Sequence, residues 1–294
     1  MRQQKSRCHN SYPLSFLLPA ILVFALFFIV PTIMGFVLAF TQYSAYQQNI
    51  AFTGFENFLF LFQHPQFTRA FWNTLEYSFF STILKTLFGL VLALLLIQPL
   101  RSGSFLKTLF YLPAILSPII VAVMFQTVFR LDGLLNGFLS AVGLHGLVSD
   151  WMGQPSTVLG TVIIMDVWKW SGFNMAIFIA GLQSIPHSFF EAASLDGTSY
   201  FQKTVHITIP LLMPAVSINM TSNFIGGLNV FEQVLGLTGG GPGYASQVIG
   251  TLVYQSFSQG YYGRASAMGM IQILITLILG LAMYRFLSSR EVSY

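Results

Sequence analysis

SIPHSFFEAASLDGTSYFQKTVHITIPLLMP, running from Ser184 to Pro214, lies between two long apolar runs. Its centre carries two carboxylates, Glu191 and Asp196, two alanines and a glycine. Ser188-Phe189-Phe190-Glu191 has the spacing of a capping box. In that motif the Ser188 hydroxyl accepts from the Glu191 amide, and the Glu191 side chain reaches back to the Ser188 amide. About two turns of good helix former follow through Asp196, and Gly197 is the natural left-handed stop. Ser199 with Gln202 offers a second cap, starting a helix that runs past Lys203 towards Pro210. The stretch therefore predicts a helix, a glycine turn and a second helix. What it connects depends on the apolar runs around it.

Those runs dominate the chain. Of 294 residues, 54% are hydrophobic and only 7% are charged, against about 25% charged in a soluble domain. Mean hydropathy is +0.70. Stretches nearly free of Asp, Glu, Lys and Arg predict six spans, near 14–40, 73–98, 106–130, 157–182, 209–234 and 266–288. Backbone in hydrocarbon must satisfy its own hydrogen bonds, so the spans are expected to be helices and the fold an all-α membrane protein. Pro31, Pro113, Pro118 and Pro214 should bend these helices without ending them all. The run from Leu14 is too long for a secretory h-region and reads as an uncleaved span. Cys8, the only cysteine, excludes an intrachain disulfide and a cysteine metal site.

Charge then sets orientation. Arg2, Lys5, Arg7, Arg101, Lys107, Lys203, Arg285 and Arg290 fall on one side of the spans; Arg69, Arg130 and Arg264 fall on the other. The richer side is expected to be cytoplasmic. That places both termini inside, with tails 1–13 and 289–294 flanking one six-span membrane domain, 14–288, and puts the loop 184–210 in the cytoplasm. The outer connections, 41–72 and 131–156, are predicted to hold short surface helices over the span ends.

The central loop also carries a resemblance. EAASLDGTSYFQKTVHITIPLLMP resembles the cytoplasmic signature loop of ABC importer permeases, through Glu191, Ala192, Ala193, Asp196, Gly197, Pro210, Leu211, Leu212 and Pro214. GLQSIP lies just upstream. LTGGGPGYASQVIGTLVYQSF (Leu237–Phe257), the NTL from Asn73 and Leu112-Pro113 are similar to the carbohydrate-uptake branch, the maltose and glycerol-phosphate type. Thr198 stands where alanine is commoner. The resemblance implies a type I importer permease fold in a bacterial or archaeal plasma membrane. It implies a second homologous permease subunit, two cytoplasmic ATPase subunits and an extracellular or periplasmic solute-binding protein. Glu191, Ala192, Ala193, Ser194, Leu195, Asp196 and Gly197 are the expected ATPase-coupling residues. The chain itself would be no enzyme and bind no cofactor. Gly239-Gly240-Gly241-Pro242-Gly243 has no following lysine to cradle a nucleotide, so ATP would be bound and hydrolysed by the partner subunits.

Charges deep in a span cost about 2.5–3.5 kcal/mol each on insertion scales and ask for a reason. Asp166, Lys169, Trp170 and Phe173 recur at i, i+3, i+4 and i+7, one helical face. A carboxylate, an ammonium and two aromatic rings suit a sugar, with its hydroxyls and its apolar C–H face. The bland alternative is an Asp166–Lys169 pair that only stabilises. In the fifth span, Asn223, Gly226 and Gly227 share a small polar face, with Asn229 to its side. Asn223 and Gly227 join the expected substrate-binding set, while close helix packing is the competing role for the glycines. Lys85 has no partner on its own helix, since Glu76 is more than two turns away. The main rival function is an ion-coupled secondary transporter using Asp166, Lys169 and Glu232, which leaves the signature loop unexplained. No HExxH or GxSxG points to an intramembrane enzyme. Membrane lipid and a sugar are the expected non-protein partners, with no sign of nucleic-acid binding.

Overall fold

The computed structural model describes residues 14–47, 50–98 and 101–291. The tail 1–13, with Arg2, Lys5, Arg7 and Cys8, lies outside them, as does the end of the tail 289–294. Among the described residues the regular structure is helical, apart from two isolated bridges, Thr41–Phe52 and Ser44–Gln47. Five helices are long and apolar enough to cross a membrane. A sixth span results when Phe201–Leu211 and Met213–Leu228, bent by 66°, are taken together.

The first span is Leu18–Leu38, the second Pro65–Leu96, the fourth Val158–Ser184 and the sixth Tyr262–Ser288. The third comes in pieces, Gly103–Ile115 and then Pro118–Phe129. The fourth span is the centre of the bundle: 67% of its apolar window is buried, against none of the first span's. Its burial follows from its small residues, which let neighbouring backbones come close. A Cβ on Gly172 would collide with the Phe110 carbonyl oxygen of the third span.

The prolines act where the residues suggested. Pro113 sits inside its helix. Pro118 ends one helix and opens the next, because Ser117 before it is held extended (ψ 136°). A π turn, Ala25–Ile29, precedes Pro31. The fifth span bends by 66° next to Pro214.

The short helices predicted in the outer connections are Glu56–Gln63 and Leu134–Ala141. Buried asparagines fix this side. Asn57 donates to the Ala39 and Thr41 carbonyls, where the first span ends. Asn73 donates to Ala245 and Gln247. Asn136 donates to the Ser149 carbonyl and accepts from the Trp151 indole. Each amide satisfies backbone or indole groups that burial would otherwise leave bare.

Two boundaries differ from expectation with consequences. The second span starts at Pro65 and not near 73, since Pro65 suits a first helical position. The fifth stops at Leu228 and not near 234. Asn229 leaves the helix, Phe231 takes φ −147° and ψ −65°, and a separate short helix, Glu232–Leu237, folds back. Apolar content ran through both pieces and hid the break.

Gly172→Ala is expected to lower stability by at least the ~1–3 kcal/mol of an overpacked core. Gly160→Ala, where a Cβ meets nothing within 4 Å, should change it little. Thermal unfolding of the two purified variants checks the contrast.

Candidate functional site

Two regions hold the residues that the sequence singled out. The first is the loop after the fourth span. Its helix runs His187–Leu195 and is preceded by Pro186. Pro186 closes the fourth span and the helix begins at once, so Ser188 lies inside the first turn and makes no capping bond. The expected Ser188–Glu191 box is therefore absent. The expected second box is present: Gln202 Oε1 accepts from the Ser199 amide at 2.8 Å, and Ser199 Oγ accepts from the Gln202 amide at 3.3 Å.

Gly197 terminates the helix at φ +69°. The Gly197 amide donates to the Ser194 carbonyl, and the Thr198 amide and hydroxyl both donate to Ala193. Thr198 thus adds a bond to the turn where alanine would add none. Lys203 Nζ reaches back to Ser194 Oγ at 2.7 Å, tying the second helix to the first. Ala193 is the buried residue of the first helix, while Leu195 is 90% exposed. Ser188, Phe189, Ala192, Asp196, Thr198 and Ile207 line a hollow of about 460 Å³ beside it. The helix shows Glu191 and Leu195 to the outside.

The second region is the expected substrate face, and the structure divides it. Asp166 and Lys169 are fully buried; Trp170 is half-buried and Phe173 open. Asp166 does not pair with Lys169. Its Oδ2 meets Lys85 Nζ of the second span at 2.9 Å, and its Oδ1 accepts from Gln233 Nε2 at 3.1 Å. Lys169 Nζ instead donates to the carbonyls of Ala114, at 3.0 Å, and Pro113, at 3.4 Å. The cause is the helix end: Gly103–Ile115 stops before the extended Leu116 and Ser117, which leaves the Ala114 carbonyl without an intrahelical donor, and the Lys169 ammonium supplies one. Lys169 also lies 4.2 Å from the centre of the Trp170 ring. Trp170 and Phe173 pack edge to face, and Tyr111 of the third span approaches Phe173 at 6.4 Å.

On the fifth span, Asn223 is buried and exchanges amide bonds with Asn174, the shorter at 2.6 Å. Gly227 is a packing position. A Cβ there would come within 2.7 Å of Ser78 Cα, while Gly226 has open space. Exposed to the outside of the chain are Ser222, Gly226 and Asn229, at i, i+4 and i+7 on one face. The residues singled out Gly226 and Asn229, but not Ser222, Tyr111 or Gln233. A one-residue shift on the helix moves the exposed face from Asn223 and Gly227 to Ser222 and Gly226, which apolar pattern alone does not fix.

The described residues hold no cluster of three or more His, Cys, Asp or Glu fit for a metal. The arrangement offers a projecting handle at one end of the bundle and an aromatic and amide-bearing face along its spans. Asp166 and Lys85 are paired within the chain, and Lys169 is held by two carbonyls.

Residues 85–291 match the family described as binding-protein-dependent transport system inner membrane component, and the chain belongs to that family. It is therefore a multi-pass inner-membrane permease subunit of an ABC importer, and ion-coupled transport has no support. It is 35% identical over 278 residues to the probable ABC transporter permease protein YurN of Bacillus subtilis, covering 93% of this chain and 95% of that one. It is 34% identical to the trehalose/maltose transport system permease protein MalF of Thermococcus litoralis, over 77% of this chain and 76% of that one. Among solved structures, a bacterial ABC transporter importing the acidic polysaccharide alginate superposes with a TM-score of 0.80. It is 29% identical and covers 94% of both chains.

Lys85→Met should strand the Asp166 carboxylate in the bundle at about 3–5 kcal/mol, the range for breaking a buried pair. Lys85→Met with Asp166→Asn keeps an acceptor for Gln233 and should recover most of that loss. Unfolding midpoints of the single and double variants measure both.

Proposed function

We propose that the chain forms half of the path of a sugar importer, together with a second, homologous permease subunit. ATP is hydrolysed by two separate subunits that grip the loop 184–210 of this chain from the cytoplasm. A solute-binding protein delivers the substrate at the opposite end. The observation that carries this reading is the helix His187–Leu195, ended by Gly197, with Ala193 buried and Glu191 and Leu195 exposed. A short helix of this kind is marginal alone and gains its surroundings by lying in a partner's groove. Glu191, Ala192, Ala193, Ser194, Leu195, Asp196 and Gly197 form the grip, with Ala193 keeping the helix attached and Leu195 entering the groove.

Relatives named for trehalose/maltose, arabinooligosaccharides, lactose and multiple sugars outnumber the one named for sn-glycerol-3-phosphate, which supports a saccharide for this chain too. The path-facing surface comprises Trp170 and Phe173 of the fourth span, Tyr111 of the third, and the stripe Ser222, Gly226 and Asn229 of the fifth. Aromatic rings cover the C–H face of a pyranose, and the hydroxyl and amide bond its OH groups. Asp166, Lys169, Asn223 and Gly227 act behind this surface by holding the spans in register.

Glu191→Lys and Gly197→Pro should leave the chain inserted in the membrane and abolish co-purification of the ATPase. Undiminished co-purification by both would remove the grip from the account. Trp170→Ala and Asn229→Leu should each raise the KM of ATP-driven uptake about tenfold with assembly intact, a loss of ~1.4 kcal/mol. Uptake into proteoliposomes of a saccharide selected by thermal shift on the cognate binding protein is the measurement.

A further inference from the structure

The short helix Glu232–Leu237 belongs in sequence to the fifth span, yet it is fastened to two others, the third and the fourth. Val234 and Leu237 are buried with Val121, Ala122 and Phe129 of the third span and Val162 and Ile163 of the fourth. A Cβ on Gly236 would come within 2.7 Å of the Ala122 Cβ. Gln126 Nε2 donates to the Gly236 carbonyl at 2.8 Å. Gln233 Nε2 donates to Asp166 Oδ1 at 3.1 Å. The chain that follows is held by the second span, where Asn73 bonds Ala245 and Gln247 and Thr74 accepts from the Ile249 amide.

The same fifth span is continuous, through its 66° bend, with the loop 184–210. Motion that enters from that loop reaches the non-helical link Asn229–Phe231, beyond which the chain is tied down. Gln233 is the polar tie between the short helix and the membrane-buried charge. It is also a tie that can open. The amide is neutral, and Asp166 keeps Lys85 at 2.9 Å when Gln233 leaves, so release strands no charge.

We infer that Asp166 is a positioning residue of the transport cycle: held by Lys85, its carboxylate latches Gln233 and keeps the helix Glu232–Leu237 closed over the outer end of the path. The latch does not touch substrate. It sets how readily the outer end opens, and so how strongly the importer depends on its binding protein to open it. This rests on the importer reading, and failure of ATPase association in the loop variants would show separately if that reading fails.

The test uses the full complex in proteoliposomes. Gln233→Leu removes the amide and keeps the Asp166–Lys85 pair. A hydrogen bond to a charged group shifts a two-state balance about tenfold or more. The expected result is therefore an about tenfold fall in the ratio of binding-protein-stimulated to basal ATP hydrolysis, with the ATPase still co-purifying. A second measurement guards against misfolding. In a Cys8→Ser background, Gly236→Cys with Ala122→Cys places two thiols where the helix meets the third span. Oxidation should arrest uptake, and a reductant should restore it. An unchanged stimulation ratio in Gln233→Leu, or normal uptake by the oxidised pair, overturns the latch. Where Gln233→Leu does not assemble, the oxidised pair decides alone.

Discussion

A single carboxylate deep in an apolar bundle sets the terms for the rest of this structure. An ionised Asp166 without partners would be too costly to keep there. It is tolerated because the second span supplies Lys85 and the fold-back helix supplies Gln233. Each partner comes from a different element, so satisfying the charge also fixes how those elements stand around the fourth span. A second polar knot one turn further along does the same for the third span. There Lys169 donates to the Ala114 carbonyl, which the end of the helix Gly103–Ile115 leaves without a backbone donor. Two cations that sequence inspection marks as expensive thus hold helices together, one by charge and the other by replacing a missing backbone donor.

This arrangement separates support from contact. The charged side chains, the Asp166–Lys85 pair and Lys169, are buried, while Phe173 and the stripe Ser222, Gly226 and Asn229 are exposed and Trp170 is half-buried. Rings, a hydroxyl, an amide and an open glycine make a surface without formal charge. Such a surface gives a moving polar ligand many weak contacts and no single strong one. A conduit needs that balance, since binding must be favourable enough to enter and weak enough to leave.

Much of this was legible in the residues. The six apolar runs gave the spans because hydrocarbon allows few alternatives to helix. The loop at Glu191 was readable as helix, turn and helix, since Gly197 and the Ser199–Gln202 pair act through local geometry. The Ser188 box failed for an equally local reason: Pro186 had already set the start of the helix. The substrate face was harder. Asp166 and Lys169 sit three residues apart on one helix, so they looked like a pair or a joint site. Their true partners lie 81 residues away at Lys85 and 55 residues away at Ala114. The fold-back of Glu232–Leu237 was invisible because apolar content does not distinguish a continuing span from a re-entrant one. Without that fold-back, Asp166 keeps Lys85 and loses only Gln233.

The bend in the fifth span has a mechanical corollary. Leu212, at the corner, is 1% exposed and packs with Leu96, Phe178, Ile179 and Ala215. The two rods that meet there, Phe201–Leu211 and Met213–Leu228, are ~16 Å and ~24 Å long at 1.5 Å per residue. A bent lever with its fulcrum lodged in packed side chains swings its two arms in opposite senses about that point. The longer arm carries its tip about one and a half times as far as the shorter.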